Sequence, residues 1–197
     1  MIVVLAEKED ALEVARIHKT EISGGFLGSL PEAFLERFYR ALIESPESFC
    51  VTAKEGYEVI GFISGAVDVG AFYNYFLRHY FLRSCFILLC SMLRNNPLSY
   101  GKKIMETLLY SSKEKALPKA ELLTIAVKKE SRGKGTAGGI FTEFKTEMKK
   151  RNIKEFKVLV GEHLTPAINF YEKNGFTFVK NISVHGKAVS KIYVYTL

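Results

Sequence analysis

The chain has 197 residues, 48% hydrophobic and 25% charged, with a mean hydropathy of +0.06. That is enough for one domain with a real core, and it excludes an intrinsically disordered, fibrous or repeat chain. The formal charge of +7 and pI of about 9.2 favour anionic partners such as phosphates, nucleotides or acidic surfaces without choosing among them. No nucleic-acid reader motif accompanies the charge, so no nucleic-acid partner is expected. Cys50, Cys85 and Cys90 form no C-x-x-C pair, which argues against a disulfide framework or a zinc site and for a reducing cytosol. The opening MIVVLAEKED lacks the basic leader of a secretory signal, so the mature chain is expected to begin there.

Residues 2–6 predict a first strand, and Asp10 a cap for a helix on which Ala11, Val14, Ala15, His18 and Ile22 recur at helical spacing. His18 lies on the apolar face and reads as a core histidine rather than a ligand. The S-x-x-E run Ser29 to Glu32, with Pro31 inside it, predicts a capping box opening a second helix through Ile43. Residues 48–54 and 58–66 are β-rich runs around a glycine-containing turn, which predicts an antiparallel hairpin.

About fifty residues, 67–119, then separate two strands where a few are usual. Residues 71–93 read as a helix or broken helix and 98–110 as another. Arg78, His79 and Arg83 interrupt the apolar run, so no membrane span is expected. The insertion reads as packed helices or a homodimer surface, against a lid over a substrate or a membrane-surface helix.

Beyond it, residues 121–127 predict a strand, 135–151 a helix, 155–160 a strand and 165–173 a helix stopped by Asn174-Gly175. Residues 176–183 and 187–195 close the chain as a hairpin. The whole is expected to be a single α/β domain, 1–197, with a mixed sheet and a helical insertion at about 67–119.

Arg132-Gly133-Lys134-Gly135-Thr136-Ala137 lies between a strand and a helix. Glycines there permit positive φ, and successive N–H groups at a helix N-terminus cradle a phosphate. A tight turn before a core helix is the bland alternative. Gly133, Gly135 and Gly138 also spell G-x-G-x-x-G, which raises an NAD(P)-dependent oxidoreductase with Glu162 as ribose ligand. The polar residues 128–132 between strand and first glycine, and the upstream hairpin, do not suit that motif.

A second segment, Leu164-Thr165-Pro166-Ala167-Ile168-Asn169-Phe170-Tyr171-Glu172-Lys173-Asn174-Gly175-Phe176, changes the weighting. With the strand Thr124-Ile125-Ala126-Val127 and the run Arg132 to Ala137, it resembles the GNAT superfamily of N-acetyltransferases over residues 120–180. The resemblance implies a mostly antiparallel sheet of about seven strands, splayed at the two central ones. It implies acetyl-CoA as co-substrate and no metal, with the pyrophosphate on the backbone of Arg132, Gly133, Lys134, Gly135, Thr136 and Ala137 and the pantetheine arm along Ile125, Ala126 and Val127. It also implies direct attack by an amine, and Tyr171 as general acid. Leu164 stands where the family often has a cofactor-contacting Asn, and the 67–119 insertion is not usual for it.

An amine with a pKa of about 10 is mostly protonated at neutral pH, so a base is expected. Glu121 at the start of its strand is the first candidate, with Glu162 and His163 second. Residues 24–30 and the insertion are the expected acceptor walls, which favours a small amine, such as an amino sugar, over a protein tail. A peptide acceptor and a silent CoA-binding module are the alternatives.

Overall fold

In a computed structural model of the chain, the residues described are 1–22, 24, 26–92, 117–184 and 188–197. The strands are β1 (Ile2–Leu5), β2 (Ser48–Glu55), β3 (Glu58–Ala66), β4 (Glu121–Val127), β5 (Glu155–Gly161), β6 (Thr177–Val184) and β7 (Ala188–Thr196). The helices are α1 (Ala11–Glu21), the single turn α2 (Phe26–Ser29), α3 (Glu32–Glu44), α4 (Val69–Met92), α5 (Thr136–Lys150) and α6 (Thr165–Lys173). One boundary differs from the sequence expectation. Ser29 ends α2 instead of capping α3, and the N-cap is Pro31 with an extended ψ of 145°. Proline disfavours helical backbone at the residue before it, so the helix cannot run back through Leu30. Residues 98–110, expected to form a helix, lie outside the described residues.

The seven strands form one sheet in the order β1-β2-β3-β4-β5-β7-β6. Every neighbouring pair is antiparallel except β4 and β5, which run parallel and pair only through Glu121↔Lys157 and Leu122↔Val158. The sheet therefore holds together at the start of both strands and opens along the rest of β4. On its other side β4 stays paired with β3, with a bulge where Ser64↔Thr124 gives way to Gly65↔Leu122 and Leu123 has no opposite number. Such an extra residue re-aims the backbone and increases local twist.

Each face of the sheet carries its own core. On one side α1, α3 and α4 bury Val14, Ile17, Leu35, Phe38, Tyr39 and Phe72 over Cys50, Phe62 and Ala126. On the other, α5 and α6 bury Ile140, Phe141, Phe144, Ile168 and Tyr171 over Val51, Ile63, Leu122, Phe156 and Val158. Burying side chains of this size contributes about 1.5–3 kcal/mol each before the entropy of ordering them is subtracted. Gly65 is required by that second core. A Cβ on it would stand 2.6 Å from the Phe144 ring and 2.9 Å from the Glu121 carbonyl, and the backbone atom cannot move aside.

His18 is buried in the first core, where its Nδ1 shares a 2.5 Å hydrogen bond with the Tyr39 hydroxyl. Its Nε2 has no hydrogen-bond partner among the described residues. Burial, helped by the neighbouring Lys19 charge, lowers its pKa to about 4. The unfolded chain takes up this proton from about pH 6.5 downward while the native one refuses it until about pH 4. The histidine's contribution is thus complete above pH 6.5 and lost as the pH falls toward 4. Wild type is expected to lose about 3 kcal/mol more stability across that interval than His18→Asn, read by urea unfolding at both ends. Equal losses would show that His18 titrates normally.

Candidate active site

The strand-to-helix connection after β4 is built from backbone geometry. A short 3-10 turn, Lys129–Ser131, leads to an extended Arg132; Gly133 and Gly135 then adopt φ of +75° and +81°, and α5 begins at Thr136. A Cβ on either glycine would meet nothing within 4 Å, so conformation and not crowding requires glycine there. The buried Thr136 hydroxyl donates to the Ser131 carbonyl (3.1 Å) and closes the loop from inside. The first N–H groups of α5 have no intrahelical partner and carry the positive end of its dipole, so the loop presents donors to an anion.

Within this loop the Arg132 side chain is engaged by the protein itself. Its Nε donates to the Val127 carbonyl (3.1 Å) and its Nη2 to Glu21 Oε2 (2.5 Å), while Glu21 Oε1 accepts the Lys129 N–H (3.3 Å). Glu21 closes α1, so this carboxylate ties α1 to the loop. Lys134 is exposed, as are Gly133 and Gly135. Gly28 and Leu30, in the stretch expected to wall the acceptor, are anchored by Lys19 Nζ, which donates to their carbonyls at 2.7 Å each.

Ile125, Ala126 and Val127 lie on the part of β4 that β5 has left. Their β3 partners are Ile63, Phe62 and Gly61; backbone groups alternate between the two edges of a strand, so those of β4 not paired with β3 face the opening. Unpaired strand edges are ready-made hydrogen-bonding templates. The Gly133 to Gly135 loop follows directly, so edge and loop form one track. The donor set of this track fits a ligand with amides at one end and a phosphate at the other.

Glu121 stands where the opening begins. It is nearly buried, with its side chain 13% exposed, and its Oε2 lies 3.5 Å from Lys157 Nζ on β5. The same ammonium donates to the Pro118 carbonyl at 2.5 Å. Burial pushes the Glu121 pKa up, and Lys157 opposes it without cancelling the rise. Tyr73 on α4 is close enough to feel the Glu121 charge; burial is the larger cause of the rise in its phenol pKa. Glu121 is therefore a buried carboxylate beside the strand opening, not a solvated strand edge.

Tyr171 is buried on α6, packed edge-to-face against Phe170 and Phe176 at 5.6 and 5.1 Å between ring centres. Burial raises its phenol pKa, so it stays protonated at neutral pH. Glu162 and His163 are exposed beyond β5, and the exposed Leu164 caps α6 through its carbonyl, which accepts the Ala167 and Ile168 N–H groups at 3.0 Å. Cys50 is buried, and its thiol pKa is pushed up by burial and by Asp10. Arg78 on α4 is exposed; the Arg83, Cys85 and Cys90 side chains lie outside the described residues. Among the described residues no cluster could hold a metal, and no helix is long and apolar enough to cross a membrane.

Three residues of this region went unseen in the sequence. Glu21 meets a loop more than a hundred positions away, and Tyr73 lies in the insertion, so neither had a local signal. Lys157 did have one: a lone cation in the apolar strand Glu155–Gly161.

A mixed, mostly antiparallel sheet opened between its two central parallel strands, with a glycine loop at the mouth, is not a doubly wound dinucleotide fold, whose sheet is mostly parallel. The chain belongs to the GNAT acetyltransferase family, whose sequence profile matches residues 19–176. Among solved structures it is similar to a PaiA N-acetyltransferase from Thermoplasma acidophilum in complex with coenzyme A (TM-score 0.59, 16% identity, all of both chains covered). It is also similar to the ribosomal-protein-alanine N-acetyltransferase of Brucella melitensis (0.63, 11%, all of both chains) and to Ard1 from Thermoplasma volcanium (0.62, 17%, 100% of this chain and 97% of that one). No curated protein sequence matches the chain.

Proposed function

We propose that the protein transfers an acetyl group from acetyl-CoA to the primary amine of a small molecule, by direct attack within a ternary complex. The observation that carries this is the release of β4 from β5 after Leu122 in a member of the GNAT family, with the left-handed glycines at the end of the freed edge. Acetyl-CoA supplies an activated thioester. The backbone of Ile125 to Val127 would hold its amides, and the loop from Arg132 to Ala137 its pyrophosphate, Arg132 acting through the shape it gives the loop. N–H groups of the β4 edge would stabilise the charge that develops on the thioester carbonyl oxygen. Glu121 would accept the amine proton, and Tyr171 would hold a proton for the departing sulfur.

Tyr73 supports a small acceptor, because it brings α4 of the insertion close to Glu121 at the start of the opening. A peptide N-terminus is the second reading, favoured by the likeness to the ribosomal-protein-alanine enzyme. The cytosol and a dimer built through the insertion belong to the same proposal.

Calorimetric titration with acetyl-CoA, and with NADH and NADPH in parallel, tests the donor half; micromolar acetyl-CoA binding and no nicotinamide binding is expected. Absence of acetyl-CoA binding would refute it. An acceptor panel of small amines, amino sugars and peptides then tests the other half, and saturation by peptides alone would reverse the acceptor assignment.

A further inference from the structure

The parallel contact of β4 with β5 is only two residue pairs long, and one of them sets Glu121 opposite Lys157. Both side chains are nearly buried, at 13% and 9% exposure. A carboxylate out of water favours its protonated form, and a protonated Glu121 cannot accept a proton from an amine. A cation within about 4–6 Å opposes that preference by favouring the charged form. Among the described residues the groups facing Glu121 are Lys157 from β5 and Tyr73 from α4; Lys119, on its own loop, is paired with Asp68 at 3.3 Å. Ala66, its partner on β3, carries no charge. Lys157 is thus the cation placed to act, and its 2.5 Å bond to the Pro118 carbonyl fixes it there.

We propose that Lys157 is a positioning residue of acyl transfer: its ammonium keeps the buried Glu121 carboxylate ionised at neutral pH and so able to accept the acceptor's proton. The proposal rests on Glu121 being the base. It makes a strand residue with no place in the cofactor track necessary for activity at neutral pH but dispensable at higher pH.

The test follows the Glu121 carboxyl carbon by NMR titration of glutamate-labelled protein, assigned with Glu121→Gln, in the absence of CoA and acceptor. In Lys157→Met the midpoint should rise by about one pH unit or more, and in Lys157→Arg it should stay near that of wild type. An unmoved midpoint in a folded Lys157→Met protein overturns the proposal. If the Met variant does not fold, wild type still decides: the Lys157 Nζ resonance should step at the Glu121 midpoint, and the step should vanish in Glu121→Gln. Absence of that step is equally fatal. With an acceptor in hand, the acid limb of kcat/KM should move up in Lys157→Met by the same amount, with activity recovered above it; an equal loss at every pH would make the lysine structural only. Should Glu121→Gln keep full activity, the base reading fails and this proposal with it, whereas an inactive Glu121→Gln with an unmoved Lys157→Met titration overturns the lysine's role alone.

Discussion

Gly135→Val is expected to weaken acetyl-CoA binding by at least tenfold in a protein that still folds. Gly135 sits at φ +81° as the N-cap of α5. A β-branched residue there is a true outlier, and holding a non-glycine residue in the left-handed region costs on the order of 1–3 kcal/mol. Since nothing lies within 4 Å of the Cβ position, the valine clashes with no neighbour, and the loop is free to relieve the strain by leaving its left-handed turn. That relief turns away the N–H groups on which the pyrophosphate reading depends, while α5 keeps its buried Ile140, Phe141 and Phe144 and the fold survives. Lys134→Ala, which removes an exposed charge and leaves the backbone intact, should cost only a few-fold. Calorimetry on both variants, with circular dichroism as the folding control, checks the ranking; equal affinity of a folded Gly135→Val would place the phosphate site elsewhere.

Tyr171→Phe is expected to lower kcat about a hundredfold with acetyl-CoA affinity nearly unchanged, the usual scale of a lost proton donor. The ring is held on α6 by Phe170 and Phe176, so phenylalanine keeps the packing and removes only the hydroxyl. Burial keeps the phenol neutral, and a neutral phenol has a proton to offer a thiolate whose own conjugate acid has a pKa of about 8.5. Loss of kcat without loss of binding marks an interaction made in the transition state. An unchanged kcat, where chemistry limits turnover, would reduce Tyr171 to a core aromatic.

Local pattern carried much of the fold to the page before any coordinates did. The hairpin of residues 48–66, the α5 stripe of Ile140, Phe141, Phe144 and Met148, and the stop after Lys173 are all encoded within one or two turns of chain. The start of α3 was misread because a capping-box pattern and a proline compete over the same four residues, and the proline's restriction of Leu30 prevails. Glycine loop and Tyr171 segment were legible because each is contiguous and needs particular residue types.

What the sequence by itself determined, then, is most of the described elements, the glycine loop between β4 and α5, and the family. Propensity, period and backbone freedom are properties of a few neighbouring residues, and a chain cannot hide them. Tertiary structure alone decided where Glu121 and Arg132 direct their charge. The first is buried against Lys157 on a strand more than thirty residues later and close to Tyr73 of the insertion; the second is bound by Glu21, more than a hundred residues earlier. Whether a carboxylate is a solvated edge or a buried group depends on what covers it and which charge stands opposite. Those are facts of strand register and layer packing, long-range pairings that no window of sequence contains.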